Sequence, residues 1–225
     1  MPVKSFSVNV LCKINNFDKT IKVDSDKSIS IRSFLIGSIS HNISKVKNVL
    51  ESEDVFAAIK CLKKLGVKIK KIKSQQYEIY GKGLGSLYCK KGTILDFQNS
   101  GTLCRLLTGI LATTPNIDVN LTGDSSLKKR NMSKLINLMS EFGAEFFPKN
   151  KFFLPLRMVS SEIPIGIKYK AGVSAQLKSA VALAATNSFG VTNIIEEKMS
   201  RDHTENMLLN STNIIKIKKG KKKIN

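Results

Sequence analysis

The sequence predicts an α/β fold (α+β in the order of its elements) made of three β-α-β-α-β-β units, each with one helix buried at its centre. Two observations carry the prediction. Three segments share one plan: DKSISIRSFLIGSI from Asp26, QNSGTLCRLLTGILA from Gln98 and GVSAQLKSAVALAA from Gly172. Their serines Ser28, Ser100 and Ser174 are spaced by 72 and 74 residues. A second trio, SEDVFAAIKCLKKLG from Ser52, SSLKKRNMSKLINLMSEFG from Ser125 and SRDHTENMLL from Ser200, recurs at spacings of 73 and 75. Self-similarity at a fixed period marks repeated supersecondary units.

Each segment of the first trio opens with small polar residues and continues as a helix that is apolar nearly all round. Such a helix is buried on every side. Ser28, Asn99, Ser100 and Ser174 stand where N-caps belong. The first two helices of the second trio carry one-sided stripes: Val55, Phe56, Ile59, Leu62 and Leu65, then Met132, Leu135, Ile136, Met139 and Phe142. These read as half-exposed helices. Each ends in glycine, Gly66 or Gly143, as a C-cap requires. Strands fill the gaps. MPVKSFSVNV opens the chain, VKIKKI and YEIYG close the first unit, and AEFFP and KFFLPL close the second. IDVNLTG and VTNIIEE precede second-trio helices. In the third unit STNIIKIKKGKKKIN supplies one strand, marked by Ile214, Ile215 and Ile217. The repeat arithmetic expects this unit to stop mid-strand at Asn225; a basic arm is the alternative for the tail.

The 225 residues, 42% of them hydrophobic, can build a real core in one large domain or two small ones. No charge-free apolar run approaches the roughly 18 residues of a membrane span. The N-terminus lacks the apolar centre of a signal peptide. Cys12, Cys61, Cys89 and Cys104 form no CxxC pair, which fits a reducing cytoplasm and neither a disulfide framework nor a zinc site. The formal net charge is +20, yet only five of the 37 basic residues are arginine: Arg32, Arg105, Arg130, Arg157 and Arg201. The lysines are spread along the chain among many Ile and Asn residues. That pattern reads as compositional bias and argues against a nucleic-acid partner. Arginine kept in a lysine-biased chain marks places where a planar, bidentate fork is needed.

Four of the five arginines lie by the helix starts. The N-terminus of a buried helix presents unpaired N–H groups and positive potential, a natural anion site. Lys27 and Arg32 sit on the first buried helix, Arg105 on the second and Gln176 on the third, while Arg130 and Arg201 belong to the second trio. If the starts converge, they form a multi-point site for phosphate and carboxylate.

These motifs, DKSISIR, VLESEDV, GKGLGSL, NSGTLCRLLTGILA, LTGDSSLKKRNMSKL, SAQLKSAVALAA and SRDHTENML, run in the order found in one family. The chain resembles the N-terminal half of the 5-enolpyruvylshikimate-3-phosphate synthases. The resemblance implies two triple-repeat domains with the active site in the cleft between them. Residues 1–22 are then a strand belonging to the second, missing domain, and 23–225 are a triple-repeat substrate-binding domain with its third repeat truncated. The implied reaction transfers the enolpyruvyl group of phosphoenolpyruvate to the 5-hydroxyl of shikimate 3-phosphate, releasing phosphate, in the cytoplasm and with no cofactor or metal. The partners are the two substrates and the missing C-terminal half, and neither membrane nor nucleic acid is expected. The half alone is expected to be inactive.

By the same resemblance, Lys27 touches both substrates and assists proton transfer. Ser28, Arg32, Ser174, Ala175, Gln176, Ser200 and Arg201 bind shikimate 3-phosphate. Gly101, Arg130 and Gln176 line the phosphoenolpyruvate pocket, while Asn99, Thr102 and Arg105 shape the second helix start. Gly101 leaves room where Ala would crowd the phosphonate inhibitor glyphosate. Two residues depart from the family pattern near this pocket: Gln98 stands in place of Gly and Asn131 in place of Pro. The alternatives are an inactive or interacting half-domain and the sister enolpyruvyl transferase of cell-wall synthesis. DKSISIR, SAQLKS and SRDHTE favour the shikimate enzyme.

Overall fold

A computed structural model describes residues 25–211 and 215–217. The expected N-terminal strand, Cys12, Ile214 and most of the basic tail lie outside the described residues. The first unit runs α1 (Lys27–Ile39), β1 (Ile43–Lys47), α2 (Glu53–Lys64), β2 (Lys68–Lys73) and β3 (Gln76–Tyr80). The second runs β4 (Thr93–Asp96), α3 (Gly101–Ala112), β5 (Asp118–Thr122), α4 (Ser125–Lys128), α5 (Ser133–Glu141), β6 (Glu145–Phe147) and β7 (Leu156–Val159). The third shows β8 (Lys168–Ala171), α6 (Ala175–Ala185), β9 (Asn193–Glu196) and α7 (His203–Ser211).

The second unit shows the full plan. Its sheet has the order β4-β5-β7-β6, with β4 and β5 parallel and the other pairs antiparallel. The parallel pair exists because α3 crosses between its strands, and β8 and β9 pair in parallel across α6 for the same reason. The first unit's sheet, β1-β3-β2, is antiparallel throughout. The α/β repeat architecture is as the sequence predicts.

Helices α1, α3 and α6 form the interior. Nearly every residue of α3 is buried, and α1 buries Ile31, Phe34, Leu35 and Ile36 together with the polar Arg32 and Ser38. On the outside, α2 packs on α1, α5 on α3 and α6, and α7 on α6 and α1. The two glycine stops close as expected. Gly66 and Gly143 adopt φ of 82° and 97°. Val67 N–H then donates to Leu62 O (3.0 Å) and Ala144 N–H to Met139 O (3.1 Å). This is the Schellman closure, which a Cβ-bearing residue at the left-handed position would strain.

Several expectations are corrected. Asp26, not Ser28, caps α1: its carboxylate accepts from Ile29 N–H at 2.6 Å, and Ser28 lies in the first turn. Ser100 and Ser174 do cap α3 and α6. The segment from Ser125 is two helices, because Met132 N–H is drawn to Phe152 O (2.8 Å) and Asn131 Oδ1 takes Ser133 N–H (2.7 Å). Phe56 is 41% exposed; it lies about 100° round the helix from Val55, off the stripe. The last strand of the second unit starts at Leu156, after KFFLP, since Pro155 has no N–H to give a ladder. Helix α7 starts at His203, leaving Ser200 and Arg201 in the connection before it. Ile215 packs partly buried against the core, but residues 215–217 form no strand.

Candidate active site

At the start of α1 the side chains divide by burial. Lys27 is half exposed and pairs with Asp54, in the first turn of α2, at 3.0 Å. Arg32, one turn on, is 2% exposed. Its Nη1 donates to Ser28 O (3.0 Å) and Ser28 Oγ (2.8 Å), its Nε to Thr204 Oγ1 (2.7 Å) and its Nη2 to Ser179 Oγ (3.1 Å). The guanidinium therefore ties α1 to α6 and α7. Burial lowers its pKa, and Glu205 opposes that shift.

At the start of α3, two further guanidiniums approach one glycine. Arg105 reaches back to Gly101 O (3.1 Å), and Arg130 donates to Asn99 Oδ1 (2.6 Å). A Cβ on Gly101 would lie 2.8 Å from Nη1 of both Arg105 and Arg130. The start of α6 joins the same place. Gln176 Oε1 accepts from Arg105 (2.8 Å), while its Nε2 donates to Thr102 (3.0 Å). Ala175 beside it is buried, and Ser174 is half-buried with its hydroxyl taken up in capping. A cleft of about 370 Å³ lies between these starts, lined by Arg105, Ser174 and Gln176 and by Asn131, Ser133 and Lys134 at the start of α5.

The two departures from the family pattern have local compensation. Gln98 adopts φ of 52°, the left-handed region that favours glycine. Asp96 holds it there, accepting from its N–H (2.9 Å) and its side-chain amide (2.7 Å). Asn131 replaces the rigidity of proline with its bond to Ser133 N–H. Asp96→Ala is expected to cost about 1–2 kcal/mol by removing both bonds. The same change made in a Gln98→Gly background should cost less, because glycine needs no clamp. Chemical denaturation of the four proteins of this cycle measures the difference, and purely additive costs would show that Asp96 does not offset the strain.

On the α7 side, Arg201 is exposed and Ser200 half-buried. Ser200 N–H donates to Glu196 Oε1 (2.8 Å). Glu196 also receives Lys178 Nζ through both oxygens (3.0 Å each), and Lys178 meets Glu205 at 2.6 Å. The structure thus brings Gly101, Arg130 and Gln176 together with Arg105, and joins Ser28 to Arg32. It places Lys27, Ser200 and Arg201 at the rims of neighbouring starts, outside that cluster. Sequence reasoning missed Asp54, Thr204 and the Lys178 ion cluster. A single lysine inside the otherwise apolar AQLKSAVALAA was the signal for the last of these, since a buried lysine requires partners.

The structure is an α/β repeat domain in which arginines lie at the starts of the buried helices. Comparison with known proteins makes this specific. The model of the EPSP synthase family, 3-phosphoshikimate 1-carboxyvinyltransferase, matches residues 11–225, and the chain belongs to that family. It is 39% identical over 189 residues to the 3-phosphoshikimate 1-carboxyvinyltransferase of Paramagnetospirillum magneticum, covering 84% of this chain and 42% of that protein. Identity to the enzyme of Ruthia magnifica is 42% over 195 residues, covering 86% and 44%. The solved EPSP synthase of Acinetobacter baumannii superposes with a TM-score of 0.77 at 34% identity, covering 84% of this chain and 42% of that one. The chain therefore spans less than half the length of the curated relatives it matches. Among the described residues no helix is long and apolar enough to cross a membrane.

Proposed function

We propose that the chain is the front half-site of an enolpyruvyl transferase, binding shikimate 3-phosphate and phosphoenolpyruvate as anions in the cytoplasm. The observation that carries this reading is the pair of guanidiniums, Arg105 and Arg130, both 2.8 Å from where a Cβ of Gly101 would lie, with Gln176 of α6 bonded to one of them. Two guanidiniums converging at the positive end of one helix suit a phosphate and a carboxylate. In the proposed reaction the 5-hydroxyl of shikimate 3-phosphate gives its proton to a base of the second half and adds to C2 of phosphoenolpyruvate while C3 takes a proton. The tetrahedral adduct then loses a proton from its C3 methyl and expels inorganic phosphate. Lys27, oriented by Asp54, is the group in this half suited to the proton at C3. Ser28, Ser174, Ala175, Ser200 and Arg201 complete the grip on the shikimate phosphate. Arg32 acts from beneath them, and the apposed acid–base groups come from a second half.

Calorimetric titration of the chain with shikimate 3-phosphate tests the reading, followed by a phosphate-release assay after mixing with the C-terminal half of the Paramagnetospirillum magneticum enzyme. Binding by the chain alone and turnover only in the mixture are expected. No binding in either setting overturns the reading. Within it, Gly101→Ala should weaken phosphoenolpyruvate binding about tenfold or more, because the new methyl displaces charge-assisted donors worth about 1.5–3 kcal/mol each. The same titration should show shikimate 3-phosphate little affected, and the melting temperature should hold.

A further inference from the structure

One buried cation besides Arg32 is not accounted for by this reading. Lys178 is 2% exposed, on α6, one residue before the Ser179 that bonds Arg32. An ammonium has three donors. Those of Lys178 meet Glu196 Oε1 and Oε2 (3.0 Å each) and Glu205 Oε1 (2.6 Å). No donor remains for a phosphate, so Lys178 is not a ligand despite its position under the site. The cluster is also charge-balanced, with Arg32 and Lys178 against Glu196 and Glu205. A buried ion cluster is seldom more stable than a well-packed apolar one of equal volume, and its best-attested use is to fix one arrangement.

What it fixes is visible in its outermost bond. Glu196 Oε1, held by Lys178, accepts Ser200 N–H at 2.8 Å. The Ser200 hydroxyl lies close to the same carboxylate but makes no well-formed hydrogen bond, although it is buried. The connection from β9 to α7 is thus anchored to α6 at Ser200, leaving Arg201 exposed beside it. Thr204 fixes the first turn of α7 in the same way, accepting from Arg32 Nε (2.7 Å) and donating to Ser179 Oγ (2.8 Å).

We propose that Lys178 and Glu196 are positioning residues that hold Ser200 and Arg201 against the start of α6 and bind no substrate themselves. This rests on the half-site reading above. The test uses the full chain. Lys178→Met strands two carboxylates and is expected to unfold it, so the decisive variants are at Glu196. Glu196→Leu removes the acceptor, whereas Glu196→Gln keeps one carbonyl oxygen to accept from Ser200 N–H and Lys178 while giving up the charge and the second acceptor. Two quantities are read on each: amide exchange of residues 200–202 and of α6, and affinity for shikimate 3-phosphate. For Glu196→Leu we expect exchange at Ser200 to rise about tenfold or more with α6 still protected. Affinity should fall about tenfold. Glu196→Gln should restore both to within roughly threefold of the parent.

Unchanged exchange at Ser200 overturns the proposal. So does faster exchange with unchanged affinity, which would make the cluster merely structural. If the parent chain binds no shikimate 3-phosphate, the half-site reading fails, and the exchange measurement still upholds or overturns the anchoring of Ser200 by Glu196.

Discussion

Arg32→Ala is expected to cost about 3–5 kcal/mol, the range found when one partner of a buried charge network is removed. In a chain of this size that is a fall in melting temperature of roughly 6–20 °C. The loss is not simply four hydrogen bonds. Thr204 Oγ1 already donates to Ser179 Oγ at 2.8 Å, so the two hydroxyls keep each other as partners. The greater cost is electrostatic. Glu205 keeps Lys178 but loses its second nearby cation, and its Oε2 already has no hydrogen-bond partner. Arg32→Lys should recover little. One ammonium cannot span Ser28, Ser179 and Thr204 as the planar fork does. Arg130→Ala is the control, because that side chain is exposed and bonds only Asn99 among the described residues. It should leave the melt within about 0.5 kcal/mol of the parent and act only on binding. Thermal melts followed by circular dichroism decide the matter. A cost under about 1 kcal/mol for Arg32→Ala would be that of an ordinary surface change. It would mean that the guanidinium is held in reserve for the substrate and does not brace three helices.

That distinction could not be read from the sequence. The repeat period, the three buried helices, the glycine stops and the caps at Ser100 and Ser174 were legible because each is a local pattern with one physical cause. The division of labour among the cations was not. Arg32, Arg105 and Arg130 all sit near helix starts, but their exposure depends on what packs over them. For Arg32 those are Ser179 and Thr204, far along the chain. Lys178 shows the same limit. Its helix announced a buried lysine, while its counter-charges, Glu196 and Glu205, stand in segments that look like ordinary strand and helix surface. The start of α1 was misread for a smaller reason. Asp26 and Ser28 are both good caps, and the entry path of the chain chooses between them. The break between α4 and α5 depends in part on Phe152 O, which no local pattern announces, beside the local bond from Ser133 N–H to Asn131.

The other large effect is expected at Gly109, where α3 crosses α6. A Cβ there would lie 2.5 Å from Ala180 O and 3.0 Å from that residue's C and Cα. The obstruction is helix backbone, which cannot rotate aside as a side chain would. Ala180 is fully buried, so relief requires α6 to move bodily. Overpacking of this kind costs about 1–3 kcal/mol and sometimes more, and the encased setting places it at the upper end. Alanine returns about 1 kcal/mol of helix propensity over glycine. The net cost of Gly109→Ala is therefore about 2 kcal/mol, or roughly 4–8 °C, and Gly109→Val, with two more methyl groups and a stiff side chain, should not give a stable fold. Gly172→Ala provides the contrast, since a Cβ there meets nothing within 4 Å. It should be neutral or stabilising by up to about 1 kcal/mol. The consequence reaches the site. The bonds from Gln176 to Arg105 and Thr102, 2.8 and 3.0 Å, require α3 and α6 to stay in their present register. The surviving Gly109→Ala protein should thus bind phosphoenolpyruvate more weakly than its stability loss alone implies. A variant with normal affinity and a lowered melt would show that the two helices slide without disturbing their starts. The convergence of cations at Gly101 would then be set by the α3 turn itself and not by the crossing.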